Sequence, residues 1–99
     1  MSEKKRGYIL LIDGTIHLES KKPPQGLYVR GYIQGEIFLP EGEILGEGPL
    51  GEAGHPGWME LSNGIFYGMQ TSRPPFPPYV EGYKTANGEF RPSSRQVVY

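Results

Sequence analysis

The sequence has 99 residues, a net charge of −1 and no cysteine, and it contains 15 Gly and 10 Pro. These residues are so evenly spaced that the longest stretch without either runs only from Thr15 to Lys22. Because Gly and Pro interrupt helices, which usually need about ten residues, helix is excluded as the main element. The missing cysteines exclude disulfides and cysteine-ligated metals, and no apolar run approaches the roughly 20 residues of a membrane span. We expect one small domain in a reducing compartment, the cytoplasm.

Charge divides the chain into three blocks. Residues 1–30 contain six Lys or Arg against three acidic residues, residues 31–72 contain six Glu and no Lys or Arg, and residues 73–99 contain four basic residues against two acidic ones. Such segregation suits contact between the ends of one copy and the middle of another copy or of a different protein. Neutralisation of the blocks within a monomer is the alternative interpretation.

The first predicted element is a hairpin around Asp13-Gly14. Apolar runs flank this pair, which favours a two-residue turn with Ile12 opposite Thr15. Every second residue of each strand then points to the same face, and one face of the hairpin is apolar and belongs to the core. The core residues in this register are Ile9, Leu11, Ile16 and Leu18.

Several short elements are predicted to follow. A Pro-rich loop at residues 21–26 leads into an alternating, half-buried strand at residues 27–33. Gln34-Gly35 then either turns the chain back onto residues 36–39 or lies within one continuous bent strand. Pro40 turns the chain again before a short strand at residues 43–45. Residues 46–57 are a long Gly-rich, acidic loop, which we expect to be functional or mobile.

Asn63-Gly64 predicts a second hairpin, with Ser62 opposite Ile65. Its two faces are both apolar enough to be covered. One face carries Met59, Leu61 and Phe66, and the other carries Trp58, Ser62, Ile65 and Met69.

The C-terminal part is rich in Pro. Residues 73–79 are expected to be extended and to cross the surface rather than to join a central strand, while residues 83–90 fold around Asn87-Gly88 and residues 96–99 form a short terminal strand. The turn glycines suggest a meander of hairpins, but their spacing and flanking residues vary too much for a true repeat.

The predicted fold is therefore all-β. We expect a small sandwich or barrel of hairpins with a long Gly-rich loop and an extended Pro-rich C-terminal arm. Residues 1–70 form the core in this prediction, and residues 71–99 form the arm with its short terminal strand, within a single domain overall.

The sequence predicts no catalytic, cofactor or metal site. His17 and His55 are the only histidines, and neither has neighbours that complete a familiar site. The Glu-rich loop around His55 lacks the prescribed ligand spacing of a calcium loop. We expect a protein that is not an enzyme.

The expected function is that of an accessory or structural subunit of a larger protein assembly or homo-oligomer. Basic residues of the two ends, Arg6, Arg91 and Arg95, would anchor a partner together with the Pro-rich arm. The residues expected to bind the partner are Arg73, Pro74, Pro75, Phe76, Pro77, Pro78, Tyr79, Trp58, Tyr67 and His55.

Nucleic-acid binding is an alternative function. Seven Tyr, four Phe and one Trp on a β scaffold could stack on the bases of a single strand. In such a protein basic residues should interleave with the aromatic ones, as they do faintly at Tyr28-Val29-Arg30 and at Phe90-Arg91.

One segment resembles a known family. Residues 54–62, Gly-His-Pro-Gly-Trp-Met-Glu-Leu-Ser, followed by Gly68-Met69, are similar to the Gly-His-x-x-Trp-Ile-Glu segment of the haemolysin-coregulated tube proteins of type VI secretion, which resemble phage tail tubes. The resemblance implies a ring-forming function. This chain is much shorter than those proteins, and it has no run long enough for the helix that packs on their barrel.

Overall fold

A computed structural model describes residues 4–19, 25–70 and 74–99. Within these ranges the chain contains no helix and forms two antiparallel four-stranded sheets. Sheet A consists of β1 (Lys5–Leu10), β2 (Ile16–Leu18), β3 (Tyr28–Gln34) and β4 (Ile37–Leu45), in the order β2-β1-β3-β4. Sheet B consists of β5 (His55–Glu60), β6 (Ile65–Gly68), β7 (Tyr79–Lys84) and β8 (Phe90–Pro92), in the order β6-β5-β7-β8. The predicted all-β fold is confirmed, as a small sandwich.

The two sheets repeat each other strand for strand. Their strand orders are the same, and so are their registers. In sheet A Tyr8 opposes His17 and Arg30, and Gly31 opposes Pro40; in sheet B Trp58 opposes Tyr67 and Glu81, and Gly82 opposes Pro92. The prediction that the chain has no true repeat is therefore wrong. Turns and loops of unequal length shift the spacing between equivalent strands, and this hides the repeat in the sequence.

The core is built from equivalent positions of the two halves. The first half contains sheet A and the second half contains sheet B, and each half contributes one residue to every pair. All of these residues are buried. The pairs are Ile9 with Met59, Leu11 with Leu61, Val29 with Val80, and Phe38 with Phe90. The rings of Phe38 and Phe90 lie against Gly31 and Gly82, where a Cβ would meet them. Each glycine thus makes room for an aromatic ring from the neighbouring strand.

The halves meet around an approximate twofold axis. The turns at Gly14 and Gly64 pack backbone to backbone, so that a Cβ on either glycine would overlap the carbonyl of the other. At the two seams, the Phe38 amide donates to the Ser62 carbonyl (3.0 Å) and the Phe90 amide donates to the Ile12 carbonyl (2.9 Å). Since Ile12 and Ser62 precede equivalent turns, these contacts are reciprocal, as in an isologous dimer interface.

Both predicted hairpins form, but their registers differ from the prediction by two residues. Ile9 rather than Leu11 opposes Ile16, and Met59 opposes Phe66. The faces are unchanged, because a shift of two keeps each residue on its side of the sheet. The prediction of Leu18 as a core residue is wrong, since it lies at the end of β2 and is 57% exposed. The cause is long-range: the amides of Leu11 and Leu61 donate to the carbonyls of Leu27 and Pro78 (both 3.1 Å), so these residues leave their hairpins.

Other boundaries also differ from the prediction. Pro40 does not end a strand, since β4 continues through it to Leu45. The predicted loop of residues 46–57 is shorter, because β5 begins at His55. Tyr79 begins β7, an inner strand of sheet B, so the Pro-rich segment leads directly into the sheet rather than across it. The predicted turn at Asn87-Gly88 is confirmed, with the Gly88 amide bonded to the Thr85 carbonyl.

The chain past residue 70 supplies two of the four strands of sheet B. Its last residues form only an isolated bridge between Val98 and Tyr79 instead of the predicted terminal strand. The side chains of this segment then reach sheet A. Arg95 donates to the Gly46 carbonyl (2.7 Å), and the Tyr99 hydroxyl donates to the Gly42 carbonyl. The segment therefore covers the free edge of β4.

The edge of β8 has a corresponding cover. The linker between the halves passes this edge, and the Gly51 amide donates to the Pro92 carbonyl (2.8 Å). In each half, the chain that follows the fourth strand crosses to the fourth strand of the other half. Unpaired edge strands promote aggregation, and these covers reduce that exposure.

Candidate interaction faces

The outer surfaces of the two sheets carry the polar and aromatic residues that the core does not use. Side chains alternate between the two faces along a strand, and partners in the antiparallel register share a face, so the residues that alternate with the core positions point outward. We call these surfaces face A and face B. Face A consists of Arg6, Tyr8, Leu10, His17, Tyr28, Arg30 and Tyr32. Face B has the equivalent positions Pro56, Trp58, Glu60, Tyr67, Tyr79, Glu81 and Tyr83.

Face A combines aromatic rings with guanidinium groups. The ring of Tyr8 stacks on that of His17 at 5.5 Å and meets the edge of Tyr28 at 5.8 Å. The guanidinium of Arg6 lies over the ring of Tyr32, 5.8 Å from its centroid. Tyr28 is only 7% exposed, so it supports Tyr8 rather than offering a surface of its own.

The arginines of face A share one carboxylate. Glu19 lies 3.8 Å from Arg6 and 4.0 Å from Arg30. All three side chains are well exposed, and ion pairs of this kind contribute about 0–1 kcal/mol. A hollow of about 200 Å³ lies beside them and is bordered on the β4 side by Glu41 and Glu43. The group is thus loosely held and retains the ability to bind other anions.

A chain of hydrogen bonds fixes the turn next to face A. The Thr15 hydroxyl donates to Asp13 Oδ1 (2.7 Å), and His17 Nε2 lies 2.7 Å from the Thr15 oxygen. Since the threonine proton is directed to the carboxylate, the histidine is the donor to Thr15 and not its base. The Thr15 amide also bonds Asp13 Oδ1 at 3.0 Å, as the Ile65 amide bonds Asn63 Oδ1 at 3.0 Å. This network holds the turn and the His17 ring in place and is not a nucleophile with its base.

Face B has the same aromatic positions without the arginines. Trp58 is 7% exposed and opposes Tyr67, which belongs to a row of apolar side chains on β6 and just past it. In this row Ile65 is 50% exposed and Met69 is 39% exposed, with the half-buried Tyr67 between them. Glu60 and Glu81 lie at the border of the row, so face B is an apolar strip with acidic margins.

The residues expected to bind a partner are only partly brought together. Trp58, Tyr67 and Tyr79 share face B, whereas His55 begins β5 with the opposite parity, opposite Lys84. Residues 74–78 precede β7, and within them Phe76 is 87% exposed while Pro75 is buried. Arg73 lies outside the described residues, as do residues 21–24 of the predicted loop. Arg95 bonds carbonyls of its own chain, and Arg91 pairs with Glu89 at 3.6 Å.

Sequence reasoning did not find face A as a unit. Tyr8, Arg30 and Tyr32 lie on two strands that become neighbours only through a long connection. The available signal was the repeat, because Tyr-Val-x-Gly-Tyr occurs at both residues 28–32 and residues 79–83. This motif aligns β3 with β7 and places Arg30 and Glu81 at the same position of the repeat.

The described residues outside the two faces form no group that suggests a catalytic or metal site. A hollow of about 200 Å³ beside His55 is lined by Pro56, Phe66 and Met69 among others, with His55 as its titratable side chain. Within the described ranges no three His, Asp or Glu residues come together as metal ligands. No helix in that part of the chain is long and apolar enough to cross a membrane.

Comparison of the chain with protein-family models, curated proteins and solved structures gives no match. The segment that resembles the tube proteins, residues 54–62, forms β5 and the start of its turn. The function is therefore inferred from the two faces and from the repeat that relates them.

Proposed function

We propose that the protein is a non-enzymatic accessory or structural subunit that docks onto another protein through face B. The observation that supports this proposal is the apolar row formed by Ile65, Tyr67 and Met69 on the strand next to the buried Trp58. Interface cores are enriched in aromatic residues and Met, and they are bordered by polar residues. Face B has this composition, with Glu60 and Glu81 at its margins.

The edge of the sheet adds to this surface. β6 is an outer strand of sheet B, and its free edge carries no strand among the described residues. An open edge next to an apolar row suits a partner that contacts both the backbone and the side chains of β6. A small domain of this size also gains stability from a bound partner. We place this assembly in the cytoplasm, in keeping with a chain that has no cysteine.

The proposal can be tested by crosslinking in the native setting. A photoreactive amino acid replaces Tyr67 in one variant and His17, the equivalent position on face A, in the matched control. The protein is purified from its own cells at moderate salt, and the mass of every crosslinked product is measured. We expect a discrete protein adduct, from a partner or a second copy, at position 67 and none at position 17.

Two results would contradict the proposal. One is a monomer without protein adducts at either position, and the other is an adduct at position 17 alone. Substitution of Ile65 by Glu should abolish the adduct at position 67, because a charge would be buried in the contact. Ile65 is half exposed, so this change should leave the fold intact.

A further inference from the structure

Face A differs from face B in the charge that accompanies its rings. Across the β1–β3 ladder Arg6 opposes Tyr32, and Tyr8 opposes Arg30. Outward residues on one strand are about 7 Å apart and neighbouring strands about 4.8 Å apart. A ring and a guanidinium therefore alternate along the strands and across them. This pattern is the interleaving of basic and aromatic residues that nucleic-acid binding requires.

From this arrangement we propose that face A binds single-stranded nucleic acid. The half-buried rings of Tyr8 and Tyr32 and the exposed ring of His17 provide stacking surfaces for bases. The guanidinium groups of Arg6 and Arg30 both lie within 4.0 Å of Glu19 and are therefore close enough together to receive phosphates of one strand. Unpaired bases are required, because the rings lie on an open sheet surface and the base faces of a duplex are covered by their neighbours. The ligand class is thus a short single strand, without sequence specificity.

Glu19 controls how strongly the arginines attract an anion. It lies within 4.0 Å of both Arg6 and Arg30, so it competes with a phosphate for the two guanidinium groups. A phosphate that replaces Glu19 can contact both positive charges. Removal of the carboxylate should therefore raise the affinity for a polyanion, since the competition for the arginines ends.

The remaining charges define where the strand lies. Glu41 and Glu43 border the hollow on the β4 side and repel phosphates there. The path left open runs over β3, β1 and β2, from Arg6 and Tyr32 towards Tyr8 and His17. Face B cannot serve the same purpose, because Pro56 and Glu81 replace the two arginines. It provides a matched control within the same molecule.

The experiment measures the fluorescence anisotropy of a labelled single-stranded DNA of about 12 nucleotides, titrated with the full chain at low salt. We expect saturable binding that weakens with salt. Substitution of Arg30 by Glu should lower the affinity by about tenfold or more and reduce the slope of log affinity against log salt by about 0.7. Substitution of Tyr32 by Ala should lower the affinity about fivefold or more and leave the slope unchanged.

The matched controls are on face B. Glu81→Gln and Tyr83→Ala change the equivalent positions and should leave the affinity within about twofold. Glu19→Gln should increase the affinity. Circular dichroism of each variant confirms that the sheets remain folded.

Several outcomes would overturn the proposal. These are the absence of saturable binding by the unchanged protein, equal losses from Tyr83→Ala and Tyr32→Ala, and tighter binding of duplex than of single-stranded DNA. A fourth is competition by polyglutamate that depends on Arg30 and not on Tyr32, which would assign face A to acidic peptides. None of these results bears on the crosslink at Tyr67, so the two proposals fail independently.

Discussion

The two halves of this protein share a backbone and differ in charge. Equivalent strands have the same register, and each outer face keeps four aromatic or imidazole rings at the same positions. The charges between the rings are reversed, with Arg30 on one face where Glu81 lies on the other. The comparison shows which features the fold requires and which it leaves free.

The retained features have packing roles. Gly31 and Gly82 each accept the ring of a phenylalanine from the next strand, and on face A the rings of Tyr8 and Tyr28 meet edge to face. Arg30 and Glu81, by contrast, are both exposed and contribute little to stability. Since the fold does not constrain these two positions, their opposite charges are the feature in which the binding proposed for face A differs from that proposed for face B.

The largest predicted effect is at the axis between the halves. Gly64 has a φ of 73°, and a Cβ there would overlap the Gly14 carbonyl. We expect Gly64→Ala to lower the free energy of unfolding by about 3 kcal/mol or more, because the strained φ alone costs about 1–2 kcal/mol and the overlap adds to it. Urea denaturation followed by tryptophan fluorescence measures this change.

Gly88 is the matched control for this prediction. Its φ is 86°, and a Cβ there would meet no atom within 4 Å. Gly88→Ala should therefore cost only the strain of about 1–2 kcal/mol. Equal decreases in the free energy of unfolding for the two variants would show that the contact between the turns does not contribute to stability. The two halves would then be held together mainly by the core.

Local signals predicted much of this fold. Asp13-Gly14 and Asn63-Gly64 lie at chain reversals as expected, but each belongs to a four-residue turn in which only the glycine has a positive φ, and not to the predicted two-residue turn. The exact register was not predictable, since it depends on bonds from Leu11 and Leu61 to distant carbonyls. Face A was not predictable from local signals, because β1 and β3 must first pair before Tyr8 and Arg30 become neighbours.

A second prediction transfers the charge pattern of face A to face B. The double variant Pro56→Arg with Glu81→Arg gives face B the arginines that oppose Tyr83 and Trp58. In a background that carries Arg30→Glu, we expect this variant to regain single-stranded DNA affinity by about fivefold or more, since the stacking ring of Tyr83 is already present. The same anisotropy titration measures the gain.

Failure of this transfer would change the interpretation of the comparison. If the double variant binds no better than its Arg30→Glu background, the rings of the two faces are not equivalent as stacking surfaces. The exposed side chains of Ile65 and Met69 would then make face B differ from face A in shape as well as in charge. A Glu81→Gln variant in the same background controls for the simple loss of a negative charge.

The smallest predicted effect concerns the covers of the two sheet edges. The edge of β8 is covered by the linker, which is held at both ends, whereas the edge of β4 is covered by the C-terminal segment through Arg95 and Tyr99. Tyr99→Phe removes the hydroxyl that bonds the Gly42 carbonyl and should cost about 0.5–1 kcal/mol. Burial raises the pKa of the Tyr99 hydroxyl, and the carboxylates of Glu41 and Glu43 raise it further, against a lowering by the bond to Gly42.

The direction of the pH dependence follows from this raised pKa. A folded-state pKa above the unfolded value of about 10 means that the fold favours the protonated hydroxyl. Its contribution is therefore complete below pH of about 10 and is lost as the pH rises through the folded-state pKa. The difference in unfolding free energy between the unchanged protein and Tyr99→Phe should shrink over that range. A difference that stays constant or grows with pH would show that the hydroxyl does not hold the C-terminal segment on β4.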